Sequence, residues 1–411
     1  MDKSADVIVV GAGPAGLVCA GTLAARGLRV TLLERMHRPA LKLGLTGKGR
    51  CNLTNDCTPD EFMAAVRGNA RFLYSALSAF SPQDTISFFE GLGLPLKTER
   101  GKRVFPASDK AGDVVRVLIG YAKKSGAVIL QERVSGLLIQ NGAVFGVKCH
   151  SGKEYRAAGV VVATGGCSYP KTGSTGDGYA LAAQAGHDII PPQPSLVPIV
   201  TRESWPSQAM GLSLKNVTLA LRREGRVLFK EQGEMLFTHF GVSGPLVLSA
   251  SAHMGQPAGA HTLSIDLKPA LTAEQLDIRL QRDFTERSNQ NFANALGGLL
   301  PGKLIGPVVS LCGVNPETKV HQITREERFR LAGLLKNLTL GVKALRPIEE
   351  AVITSGGVST RQVNPGSMES KLVRGLYFAG EVLDLDAYTG GFNLQIAFST
   401  GRLAGKMVAR N

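Results

Sequence analysis

The sequence predicts an α/β protein in which a Rossmann domain of alternating strands and helices is interrupted by an inserted antiparallel β-barrel and a small helical domain. Three observations predict it. At the N-terminus an apolar strand runs straight into Gly11-x-Gly13-x-x-Gly16. Two later apolar runs, at 160–163 and 375–379, also end in glycines, as parallel strands do where their carboxyl ends meet a ligand. Between them a long stretch opens on Pro191, Pro192 and Pro194, and its pattern turns first to short alternating segments, then to helical spacing.

Residues 6–10 read as a buried strand. After it, Gly11 permits a tight turn, Gly13 lets backbone approach a pyrophosphate, and Gly16 lets helix and strand pack closely. The helix ends near Gly27, and a second strand ends in Glu34, eighteen residues past Gly16, where a carboxylate can accept hydrogen bonds from ribose hydroxyls. The helix N-terminus offers N–H groups and partial positive charge to phosphates. A glycine fingerprint alone also occurs in ordinary turns; with strand, helix, second strand and terminal Glu in register, it marks a dinucleotide site.

A loop rich in Gly, Lys and Asn follows at 41–57, then helical stretches near 60–80 and 83–92, a helix near 109–125, a strand at 127–131 and a β-meander over 133–149. The three prolines then mark a boundary, because proline continues neither a helix nor a central strand. Segments 217–222, 226–229 and 261–266 alternate, as in a small antiparallel barrel. From Thr272 to about 340 the spacing is helical, interrupted at Pro301, Pro307 and Pro316. The chain returns to the first domain at 351–357, giving domains of 1–193 with 346–411, 194–270 for the barrel, and 271–345 for the helices.

The 411 residues carry a net charge of +14. Lys and Arg outnumber Asp and Glu by 23 to 15 in residues 1–193, 17 to 12 in 194–345, and 7 to 6 in 346–411. A basic field raises the encounter rate with polyanions, so this balance fits either a nucleic-acid partner or solubility combined with cofactor phosphate binding. No disordered basic arm occurs, so any RNA surface must be folded. The apolar runs are of strand length, far short of the ~20 residues of a membrane span. Only five residues precede the first strand, too few for a signal peptide. Cysteines 19, 51, 57, 149, 167 and 312 lack metal-ligand or disulfide-framework spacing, which suits a reducing cytoplasm.

The N-terminal motif cannot separate FAD from NAD, but the C-terminal segment can. It delivers Gly380-Glu381 and then Gly390-Gly-Phe-Asn-Leu-Gln395, placing a carboxylate by a ribityl chain and starting a helix whose N-terminus faces the flavin pyrimidine edge, where negative charge gathers on reduction. The alternative is an ordinary capped helix packed on the sheet.

Five ordered segments carry a resemblance that spans the chain: Gly47-Lys-Gly-Arg-Cys-Asn-Leu-Thr-Asn55, Ala163-Thr-Gly-Gly-Cys-Ser-Tyr-Pro170, Leu236-Phe-Thr-His-Phe-Gly-Val-Ser-Gly-Pro245, Thr354-Ser-Gly-Gly-Val358, and Gly380-Glu-Val-Leu-Asp384 through Gly391-Phe-Asn-Leu-Gln395. The sequence resembles the BaiN-like, or aminoacetone-oxidase-like, family of bacterial FAD-dependent oxidoreductases, which includes a ribosomal RNA dihydrouridine synthase. The resemblance implies an FAD-binding domain of glutathione-reductase type. It implies cofactor contacts at Gly11, Gly13, Ala15, Gly16, Glu34, Arg35 and Lys42, then at Gly49, Arg50, Cys51 and Asn52. Further contacts are implied at Ala163, Thr164 and Gly165, and at Gly380, Glu381, Gly391, Phe392 and Asn393. One departure is Lys48, where many relatives have Gly; a long cation there can touch a phosphate or narrow the pocket.

No Cys-x-x-Cys or Cys-x-x-x-x-Cys pair occurs, which argues against dithiol exchange. Nor is there a second complete fingerprint, so NADH or NADPH is expected as a transient reductant. What remains is hydride transfer at flavin N5, with the protein supplying orientation and one proton donor. Reduction of uracil takes hydride at C6 and a proton at C5. Cys51, in a cationic glycine-rich loop beside Arg50, is the first candidate donor, and nearby positive charge is expected to lower its pKa towards thiolate; the alternative is a cysteine that merely packs beside the flavin. His239 is the second candidate, since imidazole moves protons readily, although lone histidines are commonly structural. Tyr169 and Tyr388 are weaker ones. With this resemblance the sequence leads to a cytoplasmic enzyme that reduces a carbon–carbon double bond, with uridine in large-subunit ribosomal RNA as the expected substrate. Its rivals are a small-molecule oxidase or enone reductase acting on an amine or steroid-like substrate, and a flavin-bearing RNA assembly factor without catalysis.

Overall fold

The computed structural model describes residues 5–254 and 257–409. The chain divides into two compact units, one ending at Ser195 and resuming at Ile348, the other Leu196–Pro347.

The first unit is built on a five-stranded parallel sheet ordered Leu376–Phe378, Gly159–Val162, Val7–Val10, Val30–Glu34, Val128–Gln131. Val7–Val10 and Gly159–Val162 are buried at every position, so their sequences are continuous apolar runs rather than alternating ones. Helix Pro14–Ala25 starts with Pro at its first turn and has ten buried residues among its twelve. It is apolar all round because helix Phe392–Met407 covers its other side. Their close approach needs glycine: a Cβ on Gly401 would lie 2.3 Å from the Ala15 carbonyl oxygen, and one on Gly405 2.7 Å from Thr22 Cβ. The meander forms as Val134–Gln140, Ala143–Cys149 and Glu154–Arg156.

The prolines at 191, 192 and 194 do not end the local structure. They lie within strand Ile189–Ser195, which pairs antiparallel with Ile353–Val358 in a two-stranded ribbon whose register shifts between Ile190 and Gln193. A two-stranded ribbon with a bulge is where a strand tolerates missing N–H donors.

The second unit contains a closed barrel ordered Ile199–Thr201, Gly241–Ser243, Arg226–Thr238, Ser213–Arg223, His261–Asp266, Leu338–Leu345. The expected boundary at 270 between barrel and helices does not hold. Leu338–Leu345, from the stretch read as helical, closes the barrel by pairing with both Ile199–Thr201 and His261–Asp266. Helices Ala273–Glu286, Gly302–Cys312 and Arg325–Lys336 are therefore spliced between the last two barrel strands. They share one hydrophobic core with it, including Leu219, Leu263, Leu280, Leu304 and Leu335.

Candidate cofactor and active site

The three fingerprint glycines have three different surroundings. Gly11 has φ +100°, and a Cβ there would meet the Ala163 carbonyl oxygen at 2.6 Å. A Cβ on Gly16 would lie 1.9 Å from the Gly11 carbonyl oxygen. Around Gly13, by contrast, a Cβ would find no protein atom within 4 Å. Gly11 and Gly16 are thus glycine because the protein leaves no room, while Gly13 opens on free space at the N-terminus of Pro14–Ala25, where no side chain caps the helix. Glu34 frames this cradle: its Oε2 accepts from the Ala12 N–H and its Oε1 from the Met36 N–H, both at 2.8 Å. Burial raises its pKa above the usual carboxylate value, against the lowering pull of those N–H groups. The Arg35 guanidinium turns to Asp177, at 3.2 Å, and to the Thr175 hydroxyl.

A second cluster joins distant segments. Lys42 Nζ donates to Glu381 Oε2 at 2.7 Å, to Oε1 at 3.0 Å and to Ser168 Oγ at 2.6 Å. Glu381 Oε1 also accepts from the Thr354 N–H at 2.9 Å, while Thr354 Oγ1 accepts from the N–H groups of Cys167 and Ser168. Ser168 and Thr354 were not among the residues assigned to the site, although both fall in the segments that carried the resemblance. Gly380 (φ +79°) hands the chain to Glu381, and its N–H is fixed by Thr400 Oγ1 at 2.9 Å. Gly391, with φ +99°, caps helix Phe392–Met407; a Cβ there would meet the Thr54 carbonyl oxygen at 2.3 Å. The Asn393 side chain is spent locally: it accepts from the Ala387 N–H and donates to the carbonyls of Ala387 and Tyr388. Phe392 packs edge-on against Phe62.

The loop between the two clusters is left-handed at Gly47, Lys48, Gly49 and Cys51, with φ of +57°, +57°, +85° and +61°. For Lys48 that conformation costs about 1 kcal/mol relative to glycine. Arg50 is clamped by Glu99 and by Asp109, the latter at 2.6 and 2.8 Å, and its guanidinium lies 4.3 Å from the Phe105 ring centroid. Cys51 is 0% exposed. Burial pushes its thiol up to about 12, so the expected lowering towards thiolate is overturned. The reason is physical: Arg50 is neutralised by two carboxylates far away in sequence, and desolvation of the thiolate dominates. In the native protein at pH 8, Cys167, the one cysteine that is not buried, is expected to alkylate first and Cys51 to stay unmodified until the chain unfolds. Peptide mass spectrometry after timed iodoacetamide treatment reads this. Rapid native labelling of Cys51 would restore the thiolate expectation.

Two buried polar atoms near these segments have no hydrogen-bond partner: Asn52 Oδ1 and Thr164 Oγ1. Both atoms are already closed off from solvent by the protein itself, Thr164 Oγ1 against Gly178, so they do not mark the position of a ligand. With the open space at Gly13, the uncapped helix and the Glu34 carboxylate, the residues present fit a dinucleotide. His239 belongs to the other unit, exposed in the turn between Arg226–Thr238 and Gly241–Ser243, its ring edge-on to Phe240. Tyr169 is left-handed, with φ +55°. Among the described residues no group of three His, Cys, Asp or Glu side chains forms a metal site, and no helix is long and apolar enough to cross a membrane.

A glycine cradle at the end of a parallel strand, a carboxylate at the end of the next strand and a returning C-terminal Gly-Glu segment define an FAD-binding oxidoreductase of Rossmann type. Residues 5–407 match the HI0933-like protein Rossmann domain, and the chain belongs to that family, in keeping with the BaiN-like resemblance of its motifs. It is 32% identical to the ribosomal RNA dihydrouridine synthase of Haemophilus influenzae over 417 aligned positions, covering 100% of both chains. It is 30% identical to the 3-dehydro-bile acid delta(4,6)-reductase of Clostridium scindens, covering 98% of each. Among solved structures, the 3-ketosteroid-delta4-(5alpha)-dehydrogenase of Rhodococcus jostii has the same fold, with a TM-score of 0.57 at 18% identity, covering 99% of this chain and 97% of that one. The protein is a flavin-dependent oxidoreductase.

Proposed function

We propose that this oxidoreductase reduces the C5=C6 bond of uridine in large-subunit ribosomal RNA, with NADH or NADPH as the transient reductant. The two relatives described above are named for products or bonds that imply reduction of a carbon–carbon double bond, which supports the reaction class. The observation that carries RNA over a steroid-like substrate is charge: 47 Lys and Arg against 33 Asp and Glu, spread over both units. Hydride transfer is what FAD supplies when bound. The chain's own part is to hold and orient it. The helix behind Gly13 would receive the pyrophosphate, Glu34 the ribose hydroxyls, and Glu381, fixed by Lys42 and Thr354, the ribityl chain, with Asn52 and Thr164 in the segments beside them. A target base must leave its stack to reach the flavin. Of the proton donors, Cys51 holds its proton but is sealed from solvent, and His239 is an exposed imidazole. We take His239 as the proposed donor, and this assignment predicts that His239→Ala lowers turnover by roughly 10²-fold or more and Cys51→Ala much less.

The test is to delete the gene and map dihydrouridine in ribosomal RNA, then restore it. Loss of one dihydrouridine that returns with the gene supports the reading; an unchanged map overturns it. Purified protein that oxidises NAD(P)H with an enone, independently of RNA and of salt, favours the small-molecule reading instead.

A further inference from the structure

We propose that the outer face of the barrel carries a docking basin for the RNA phosphate backbone, remote in sequence from every residue assigned to the flavin. This rests on the RNA reading above and adds a surface to it.

The recess has a volume of about 380 Å³ and lies over three neighbouring strands: Ser213–Arg223 at its centre, Arg226–Thr238 and His261–Asp266 on either side. It exists because the central outward positions are small. Ala220 pairs across to Lys230 on one side and Ser264 on the other; Thr218 pairs with Gln232 and Asp266. These short side chains form the floor, and Arg222, Lys230 and Lys336 stand around it.

Charge decides what such a basin takes. Its one carboxylate, Asp266, is neutralised: Lys336 Nζ lies 2.6 Å from its Oδ2, and its Oδ1 accepts from the Lys268 N–H. Glu231 pairs with Leu219, whose side chain is in the barrel interior, so strand alternation sends it to the opposite face from Lys230. Glu234 lies beyond Gln232, outside the lining. Lys230 has no ion pair or hydrogen bond among the described residues, and Arg222 has only a 3.5 Å contact to the Gly225 carbonyl. Two cations are thus left without a counter-charge over a floor of hydroxyl and amide groups. In the hairpin next to them Arg223 faces Glu224 at 3.9 Å, which leaves Arg226 as the added cation. No aromatic ring lines the recess, so bases have nothing to stack on. The chemistry matches phosphodiester oxygens and ribose hydroxyls, a contact that positions RNA without reading its sequence.

The test uses the full-length protein with its bound flavin, a transcribed fragment of large-subunit ribosomal RNA, and an unrelated RNA of equal length, with binding followed by fluorescence anisotropy across a salt series. Arg222→Ala/Lys230→Ala is expected to weaken binding of both RNAs about tenfold near physiological salt and to flatten the log–log salt slope by about 1.5. Lys123→Ala/Lys124→Ala, which removes equal charge from helix Ala111–Lys124, and the charge-preserving Arg222→Lys/Lys230→Arg should both bind like the parent. Flavin absorbance and the rate of reduction by NAD(P)H should not change in any variant, which also checks folding. Parent-like binding by the alanine pair, or equal loss in the helix control, overturns the basin while leaving the RNA reading intact. A parent protein that binds neither RNA overturns both.

Discussion

Gly13→Ala is expected to leave the apo-protein as stable as its parent, within about 0.5 kcal/mol, and to weaken FAD binding roughly 10- to 100-fold. Gly16→Ala, three residues on, is expected to cost about 3 kcal/mol of stability before any cofactor is considered. The two differ in what a methyl group meets. At Gly13 the backbone is already extended, φ −79° and ψ −173°, so alanine adopts it without strain, and nothing in the protein lies within 4 Å of the new carbon. Only a ligand can object. A pyrophosphate drawn onto the helix N-terminus must approach the backbone there, and pushing it outwards loses charge-assisted hydrogen bonds that contribute ~1.5–3 kcal/mol each. At Gly16 the new carbon would sit 1.9 Å from the Gly11 carbonyl oxygen, so helix and strand must part. Thermal unfolding of flavin-free protein and titration with FAD at 450 nm separate the effects. If Gly13→Ala lost as much stability as Gly16→Ala, or bound FAD like the parent, the open space would not be the phosphate cradle.

That contrast also explains why some of the molecule was legible in sequence. Most of the cradle depends on residues within thirty positions of one another; the exception is Gly11, whose Cβ would also meet Ala163 on the neighbouring strand, although its positive φ is itself a local demand. Elements defined by distant partners were misread. Leu338–Leu345 alternates buried and exposed positions over most of its length, yet it follows directly on a helix, and its identity as a strand comes from closing a barrel begun at Ile199. The prolines at 191–194 announce a break, but whether they end a strand or sit in its bulge depends on Ile353–Val358. Arg50 and Cys51 show the same limit in electrostatics. Adjacent in sequence, they suggest a cation activating a thiol; Glu99 and Asp109, supplied by the fold, take the cation away. Asn393 is another case: its motif fits a cofactor ligand, whereas its side chain is used to hold residues 387 and 388. Ser168 and Thr354 stand in segments that the sequence does single out, but their part becomes visible only when three segments meet at Glu381.

That meeting point yields the second large effect. Lys42→Met is expected to destabilise the protein by about 2–3 kcal/mol, because it leaves the Glu381 carboxylate, whose side chain is 17% exposed, with hydrogen bonds but no counter-charge. Glu381→Gln keeps Oε1 as acceptor for the Thr354 N–H and for Lys42 Nζ, yet it removes the counter-charge of the Lys42 ammonium and replaces its shorter acceptor, Oε2, by an N–H donor, and a loss of about 1–2 kcal/mol is expected. The double variant removes both charges and should be clearly more stable than the sum of the singles, with a coupling energy of about 1.5–2.5 kcal/mol in urea unfolding. FAD affinity should not follow stability back. If Glu381 meets the ribityl chain, the double variant regains much of its fold and still binds FAD at least about tenfold more weakly than the parent. Additive singles would mean that the ion pair is not an energetic unit. Recovery of FAD affinity together with stability would mean that Glu381 serves the scaffold alone, and the cofactor's ribityl contact would have to come from another residue.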